Sequence, residues 1–213
     1  MKLTHQQMRL YAVTDRAWAA DEDAFFAQIE AAIDGGAGVV QLREKHASRE
    51  EFLHLAERFV ALCRRRGVVS IINDNVDIAA AVGADGVHVG QEDLEAGRAR
   101  ALLGPDKIIG VSTHSVAEAQ AAQAAGADYL GVGAAFVTGT KTDAKPVGHD
   151  VIRAVTAAVD IPVVAIGGIG RDNILELSGC GLAGVAVVSA LFAQKDVAAA
   201  ARELHDLAEQ IAR

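Results

Sequence analysis

Eight short aliphatic segments, each followed by a helical pattern, restrict the fold of this chain more than any other feature of its sequence. Related phrases recur at 35–40, 83–89, 126–132 and 181–187, where the chain reads GGAGVV, GADGVHV, GADYLGV and GLAGVAV. In each phrase, a glycine that ends a helix and a tight turn come before the next strand. Parallel strands that are covered on both faces have this continuously apolar character. Eight such units favour a closed (β/α)8 barrel over an open doubly wound sheet.

The same patterns give approximate boundaries for these units. The predicted strands are Leu10–Thr14, Val39–Leu42, Ser70–Ile72, Gly86–Val89, Ile108–Val111, Tyr129–Val132, Val163–Ile166 and Gly184–Val188. The predicted helices include Asp21–Ile33, Phe52–Leu62, Val76–Val82, Val116–Ala125, Val151–Val159 and Val197–Ile211. No linker interrupts the series, so residues 1–213 are predicted to form one α/β domain, a single (β/α)8 TIM barrel. Such a barrel places its site at the carboxyl ends of its strands.

Composition and charge limit the classes of partner. The chain has 213 residues, 51% of them apolar, and a formal net charge of −8. This charge argues against a general nucleic-acid binder, although a local cluster of Lys and Arg can still bind a small anion. No apolar run approaches membrane-spanning length and the N-terminus has no apolar signal region, so we predict a cytoplasmic protein with no membrane partner. Cys63 and Cys180 lack metal-ligand spacing and are predicted to be thiols, and the sequence leaves a homo-oligomer open.

Polar residues follow two neighbouring predicted strands, at 73–75 (Asn-Asp-Asn) and at 90–93 (Gly-Gln-Glu-Asp). If the strands are parallel neighbours, right-handed crossovers bring both polar tips to the same end of the sheet. Asp74 and Asp93 can then face one site. Two hard oxygen ligands are what Mg²⁺ takes from protein when a phosphorylated substrate completes its shell. The alternative is that each aspartate only caps the helix that follows it.

Two cations follow the second predicted strand. Arg43 and Lys45 are two residues apart, so on a strand they point the same way. Two converging cations at a barrel mouth suit a phosphate or a diphosphate. The alternative is a solvated loop in which Glu44 pairs with Lys45.

The remaining strand ends carry hydroxyl groups, glycines and one histidine. After strand 5, the hydroxyl groups of residues 112–115 can bond an anion, or Ser115 simply caps the next helix. Residues 136–148 after strand 6 form an unusually long connection, predicted to be a phosphate clamp and mobile lid rather than a disordered insertion. Loops after strands 7 and 8 of such barrels often bind phosphate through backbone N–H groups, and glycine lets the backbone approach the ligand. A histidine such as His114 is more often structural than catalytic.

Considered together, these segments resemble the thiamine phosphate synthase family over nearly the whole chain. The matching pieces are YAVTD (11–15), QLREK (41–45), INDN (72–75), DGVHVGQEDL (85–94), GVSTHS (110–115), TGTK (138–141), AIGGI (165–169) and VVSAL (187–191). The resemblance implies a Mg²⁺-assisted transferase of thiamine biosynthesis, in which this barrel is the catalytic domain. Hydroxymethylpyrimidine diphosphate loses diphosphate, and its methylene carbon is attacked by the ring nitrogen of a thiazole phosphate.

The resemblance also implies residue roles. Asp74 and Asp93 bind Mg²⁺. The residues implied to hold the pyrimidine diphosphate are Gln41, Leu42, Arg43, Glu44, Lys45, Asn73, Ser112 and Lys141, with Arg43, Lys45, Ser112 and Lys141 as the catalytic set. The residues implied to bind the thiazole phosphate are Thr138, Gly139, Thr140, Gly168, Val188 and Ser189.

One departure and two alternative functions accompany this resemblance. Many members carry two prolines in a G-P-x-x-P-T-x-T-K pattern, and this chain has Ala134 and Val137 at those positions. A related thiazole tautomerase would use a histidine at the position of His114. That family generally lacks the full set of diphosphate and metal residues, which favours the synthase. A non-catalytic barrel that only binds a phosphorylated ligand is the alternative of another class.

Overall fold

Parallel strands close into a barrel in the order β1-β2-β3-β4-β5-β6-β7-β8 in the computed structural model. The structure describes residues 3–90, 93–138 and 146–212, with only the backbone described at 93–96. Pairing of β8 with β1, which brings Leu10 opposite Val185, closes the ring. The predicted (β/α)8 barrel is therefore confirmed.

The elements follow one another in the alternation that the sequence predicts. The strands are β1 Leu10–Val13, β2 Val39–Leu42, β3 Val69–Asn73, β4 Gly86–Val89, β5 Ile108–Thr113, β6 Tyr129–Gly133, β7 Val163–Ile166 and β8 Gly184–Val187. The α-helices are α1 His5–Met8, α2 Glu22–Asp34, α3 Arg49–Arg66, α4 Val76–Val82, α5 Asp93–Leu103, α6 Val116–Ala124, α7 His149–Ala158, α8 Ser189–Phe192 and α9 Val197–Ile211. Short 3-10 helices lie at Arg16–Trp18 and Ile174–Leu177. Within the described residues, no helix is both long and apolar enough to cross a membrane.

The largest departures from the predicted boundaries are at α3 and between β7 and β8. Helix α3 begins three residues before its predicted start because the Ser48 side chain caps it, accepting a hydrogen bond from the Glu51 N–H (3.2 Å). Between β7 and β8 the described chain forms the 3-10 helix Ile174–Leu177 instead of an α-helix. Turns at 171–173 and 178–179 flank this helix, so it extends over only four residues.

The core has two parts, separated by the barrel wall. Side chains that point outward from the strands pack against the helices, and Leu42 and Phe59 are both buried there. Side chains that point inward fill the lower barrel, where the largest are Tyr11 and Tyr129. Cys63 and Cys180 are both buried free thiols. The lower barrel is therefore a packed interior that supports a site above it.

Gly110 of β5 tests this packing. A Cβ atom at Gly110 would overlap the Tyr129 ring, whereas a Cβ atom at Gly97 on α5 would meet nothing within 4 Å. We expect Gly110→Ala to lower the free energy of unfolding by about 1–3 kcal/mol through overpacking. Gly97→Ala should raise it by about 0.5–1 kcal/mol, because alanine is the better helix former. Urea unfolding of both variants measures the difference, and equal effects of the two substitutions would contradict the packing described.

Candidate active site

A cavity of about 650 Å³ opens at the carboxyl ends of the strands. Its walls come from strand ends and from the loops that follow them, which is where barrels of this kind place their sites. The predicted site residues that line it are Gln41, Arg43, Asn73, Ser112, Thr138, Gly168, Val188 and Ser189. Residues from distant parts of the sequence therefore meet at one cavity.

A chain of hydrogen bonds forms the floor of the cavity. Gln41 Nε2 donates to the Tyr11 hydroxyl (2.6 Å), and the Tyr11 and Tyr129 hydroxyls are 2.7 Å apart. The Tyr129 hydroxyl lies 2.9 Å from His88 Nδ1, and His88 Nε2 lies 3.0 Å from Ser112 Oγ. Neither tyrosine was among the predicted site residues. The inward positions of both on their strands were one sequence signal that pointed to them.

Arg43 and Lys45 extend from the end of β2 and meet acidic partners. The Arg43 guanidinium lies 4.0 Å from Asp15, and the Arg43 backbone N–H donates to Thr14 Oγ1 (3.1 Å). Lys45 Nζ lies 3.4 Å from Asp74 Oδ2. Of these two cations, Arg43 lines the cavity and Lys45 does not. Asp74, the partner of Lys45, is also not a lining residue, but it directly follows Asn73, which is.

Asp74 has an unusual backbone conformation, with a φ of 60°. Asp tolerates this left-handed region better than most residues, and such strain concentrates at binding sites. The Asp74 N–H donates to His88 O (2.8 Å), which fixes the residue to β4. Helix α4 is capped by Asn75, whose side chain accepts from the Ile78 N–H (3.0 Å). The alternative that Asp74 is only a helix cap is therefore wrong.

Of the two carboxylates predicted to bind Mg²⁺, the structure describes the side chain of one, Asp74. The Asp74 side chain is 51% exposed and its oxygen is a hard donor, as Mg²⁺ requires. Asp93 begins α5 after β4, the strand that pairs with β3. Its side chain lies outside the described part of the structure. Among the described side chains, no group of three or more His, Cys, Asp and Glu converges to hold a metal. The donors present therefore fit an ion that takes few ligands from protein.

The residues that alternate with the two cations point elsewhere. Leu42 is buried among the outer core residues, between barrel and helices. The Glu44 side chain is only 5% exposed and pairs with Arg16 (2.9 Å) rather than with Lys45. Burial raises the pKa of Glu44 above its ordinary value, although Arg16 acts in the opposite direction. The alternative pairing of Glu44 with Lys45 is therefore wrong, and Glu44 instead fastens the loop after β1 to the end of β2.

Removing Arg16 should show how much the burial of Glu44 lowers the free energy of unfolding when its partner is absent. We expect Arg16→Ala to destabilise the protein by about 1–2 kcal/mol near pH 8, an amount reduced because Arg16 is partly exposed. The pKa of Glu44 is already raised in the folded state and rises further without Arg16. A carboxyl group whose pKa is higher in the folded than in the unfolded protein stabilises the fold at pH values below its unfolded-state pKa. That stabilisation is lost as the pH rises through its folded-state pKa. The deficit should therefore be smaller at pH 5 than at pH 8.

Urea unfolding at both pH values measures this deficit. Arg171→Ala is the control, because Arg171 is exposed and, among the described side chains, pairs only with exposed carboxylates. A deficit for Arg16→Ala that is the same at both pH values would contradict the role assigned to Glu44.

The strand-6 connection is described as far as Thr138 and again from Pro146. Gly139, Thr140 and Lys141 lie outside the described residues. Where the family pattern has its first proline, Ala134 accepts a hydrogen bond from the Val147 N–H (2.8 Å). The Phe136 N–H donates to Gly167 O (3.0 Å). Both ends of the connection are therefore held against the barrel without the prolines.

Gly168 brings the loop after β7 against this connection. It has a φ of 65°, and a Cβ atom there would overlap the backbone of residues 136–137. Only glycine fits both the conformation and the space. After β8, Ser189 opens the short helix α8 at the cavity wall. Backbone from two loops therefore lines the side of the cavity opposite Asn73.

His114 lies at the cavity mouth with its side chain 53% exposed. Its Nδ1 lies 3.1 Å from Glu118 Oε2. The neighbouring Ser115 caps α6 by accepting from the Glu118 N–H (3.3 Å), as the second interpretation of this segment predicts. His88, in contrast, belongs to the floor of the cavity.

A closed (β/α)8 barrel with Arg43 and polar strand ends around such a cavity has the arrangement of an enzyme that acts on small molecules. Comparison with known proteins gives the family. Residues 10–191 match the family model described as thiamine monophosphate synthase. The chain therefore belongs to the thiamine monophosphate synthase family.

Individual relatives agree with this assignment. The chain is 51% identical to the thiamine-phosphate synthase of Alkaliphilus oremlandii, covering 96% of this chain and 98% of the relative. It is 52% identical to the thiamine-phosphate synthase of Chloroflexus aurantiacus, covering 93% and 92%. Among solved structures, thiamine phosphate pyrophosphorylase from Pyrococcus furiosus superposes with a TM-score of 0.88 at 38% identity, covering 97% of this chain and 98% of the other. The likeness extends over nearly the full length of each chain, and these relatives are transferases.

Proposed function

We propose that this chain joins hydroxymethylpyrimidine diphosphate to a thiazole phosphate, giving thiamine phosphate and diphosphate. The observation that carries the proposal is the cavity itself, where Gln41, Arg43, Asn73 and Ser112 meet from β2, β3 and β5. These residues belong to the segments that resemble the synthase family, and the relatives of about 50% identity carry that name.

The pyrimidine diphosphate occupies the side of the cavity formed by β2, β3 and β5. Gln41 and Asn73 supply amide groups for the pyrimidine and its leaving group, and Ser112 supplies a hydroxyl group. Arg43 and Lys45 face the diphosphate, where a planar guanidinium and a compact ammonium group both bind phosphate oxygens. Leu42 and Glu44 hold this segment in place from the other face of the strand.

The thiazole phosphate occupies the opposite side. Gly168, Val188 and Ser189 line the cavity there, and their backbone N–H groups are suited to an anion. Thr138 adds a hydroxyl group from the connection after β6. Gly139 and Thr140 continue this set by their place in the sequence.

The reaction breaks the bond between the methylene carbon and the diphosphate oxygen, and the electron pair leaves with the diphosphate. The thiazole ring nitrogen then donates its lone pair to the methylene carbon, so the product carries a positively charged ring nitrogen. Charge developing on the leaving group is stabilised by Arg43, Lys45 and Lys141. The enclosed barrel mouth holds both rings in contact and keeps water from the cationic carbon. No nucleophilic side chain is needed.

Mg²⁺ completes the proposed site. Asp74 and Asp93 would hold it at the ends of β3 and β4, with the substrate diphosphate as the other ligand. When bound, the ion neutralises negative charge on the leaving group. The Lys45–Asp74 ion pair supports this proposal, because it puts a second cation beside one of the two carboxylates.

Turnover with both substrates tests the proposal. Purified protein should form thiamine phosphate from the pyrimidine diphosphate and the thiazole phosphate in the presence of Mg²⁺, and excess EDTA should stop the reaction. A tautomerase would convert the thiazole alone, without any pyrimidine substrate. A non-catalytic barrel would gain thermal stability from the phosphorylated ligands but yield no product. Either of these two results would overturn the proposal.

A further inference from the structure

We propose that the hydrogen-bond chain on the cavity floor is a one-way relay, running from Gln41 through Tyr11, Tyr129 and His88 to Ser112. The relay sets which hydrogen-bonding group Gln41 and Ser112 each present to the pyrimidine diphosphate. Tyr11, Tyr129 and His88 are therefore positioning residues for the proposed reaction, and this consequence rests on the function proposed above.

The direction of the hydrogen bonds in the relay follows first from the burial of Tyr11. This side chain is 1% exposed, so its hydroxyl hydrogen must be donated inside the protein. Its oxygen already accepts from Gln41 Nε2 at 2.6 Å. The Tyr129 oxygen, 2.7 Å away, is then the acceptor for the Tyr11 hydrogen. Gln41 therefore fixes the first two steps.

The relay continues across the barrel from Tyr129 with the same direction. The Tyr129 side chain is 0% exposed, and its oxygen accepts from Tyr11. The Tyr129 hydroxyl must therefore donate to His88 Nδ1 at 2.9 Å. A neutral imidazole with an accepting Nδ1 carries its hydrogen on Nε2. His88 Nε2 then donates to Ser112 Oγ at 3.0 Å.

The surroundings are built to hold this relay. Burial raises the pKa of Tyr11 and of Tyr129, so both hydroxyl groups keep the hydrogens that the relay needs. Gly110 leaves the space that the Tyr129 ring occupies, because a Cβ atom there would overlap it. A Cβ atom at Gly131 would come within 3.3 Å of His88 Cε1, which is tighter than ordinary contact. Two strands thus lack side chains where the relay crosses them.

The relay has a direct consequence at each of its ends. Because Gln41 Nε2 faces Tyr11, the amide is oriented with its carbonyl oxygen directed away from Tyr11, where it accepts from the amino group of the pyrimidine. Because Ser112 Oγ accepts from His88, its own hydrogen is directed away from His88. Reversing the direction of every hydrogen bond in the relay would exchange the donor and acceptor roles at both of its ends.

The tautomer of His88 tests the direction without any substrate. In protein labelled with ¹⁵N-histidine, at about pH 8 where imidazole is neutral, long-range ¹H–¹⁵N spectra distinguish the two tautomers. The His88 signals are those missing from His88→Gln. We expect the Nε2–H form in the unsubstituted protein and a mixture of both forms in Tyr129→Phe. Phe59→Leu, in the outer core, should leave the His88 signals unchanged. An Nδ1–H form in the unsubstituted protein, or unchanged signals in Tyr129→Phe, would overturn the relay.

Steady-state kinetics test the positioning role. Tyr129→Phe should lower kcat/KM for the pyrimidine diphosphate about tenfold, the effect of losing one hydrogen bond, and change KM for the thiazole phosphate less than about twofold. Tyr11→Phe provides a second variant if Tyr129→Phe does not fold, as judged by circular dichroism. An equally large change in KM for the thiazole phosphate, or an unchanged kcat/KM for the pyrimidine diphosphate, would contradict the positioning role. If the unsubstituted protein makes no thiamine phosphate, the proposed function fails, while the His88 tautomer still decides the direction of the relay.

Discussion

Asp74→Asn should lower kcat for thiamine phosphate formation by about 100- to 1000-fold, the typical cost of losing a group that organises transition-state charge. Asparagine keeps the size of the side chain and tolerates the positive φ of this residue, so the substitution removes mainly the charge. The carboxylate is half exposed and pairs only with Lys45 among the described side chains, so the fold should persist. Initial rates at saturating substrates and Mg²⁺ measure the loss, and the urea midpoint reports the fold.

Asp77→Asn is the matched control for this substitution. Asp77 is also an exposed aspartate, three residues further along, on the first turn of α4. Its carboxylate favours the helix N-terminus by about 0.3–1 kcal/mol at most and should leave turnover unchanged. Normal turnover in Asp74→Asn, or an equal loss in both variants, would reject the role assigned to Asp74.

Lys45→Ala should lower kcat by about 100-fold, because a cation beside the leaving group is lost. His114→Asn should retain turnover within about threefold, since a reaction driven by diphosphate departure needs no acid–base group at that position. Lys45 contacts Asp74 just after β3, whereas the His114 ring lies at the cavity mouth and contacts Glu118. Lys141→Ala should resemble Lys45→Ala for the same electrostatic reason.

The comparison needs saturating substrate, so that a raised KM is not mistaken for slower chemistry. Lys195→Ala removes an exposed lysine between α8 and α9 and should behave like the unsubstituted protein. A loss in His114→Asn as large as that in Lys45→Ala, in a protein folded by circular dichroism, would overturn the proposed mechanism and favour a proton-transfer reaction.

Much of the fold was predictable because its signals are local. Short aliphatic strands and helix-ending glycines repeat along the chain, and parallel strands with short connections leave few architectures. The sequence does not distinguish between two neighbouring residues that can serve the same role. Asp74 and Asn75 are both good helix caps, and the structure selects Asn75. Likewise, nothing local indicates that the segment after β7 forms a 3-10 helix.

The cavity floor was not predictable for a different reason. Tyr11 and Tyr129 are separated by 118 residues, and their contact exists only once the barrel closes with its register fixed. The same holds for Glu44, whose partner Arg16 lies in the loop after another strand. Alternation along a strand shows which side chains point inward but not which of them meet. Gly110 and Gly131 were the nearest sequence signals, since they mark where large side chains from other strands enter the barrel.

The most direct test of the central claim is the stoichiometry of the reaction, followed by ³¹P NMR. The protein is supplied with the pyrimidine diphosphate, the thiazole phosphate and Mg²⁺. We predict one diphosphate released for each thiamine phosphate formed, with formation of both products dependent on the thiazole phosphate. Diphosphate released with no matching thiamine phosphate, or no change in either substrate, would contradict the assignment of this cavity to thiamine phosphate synthesis.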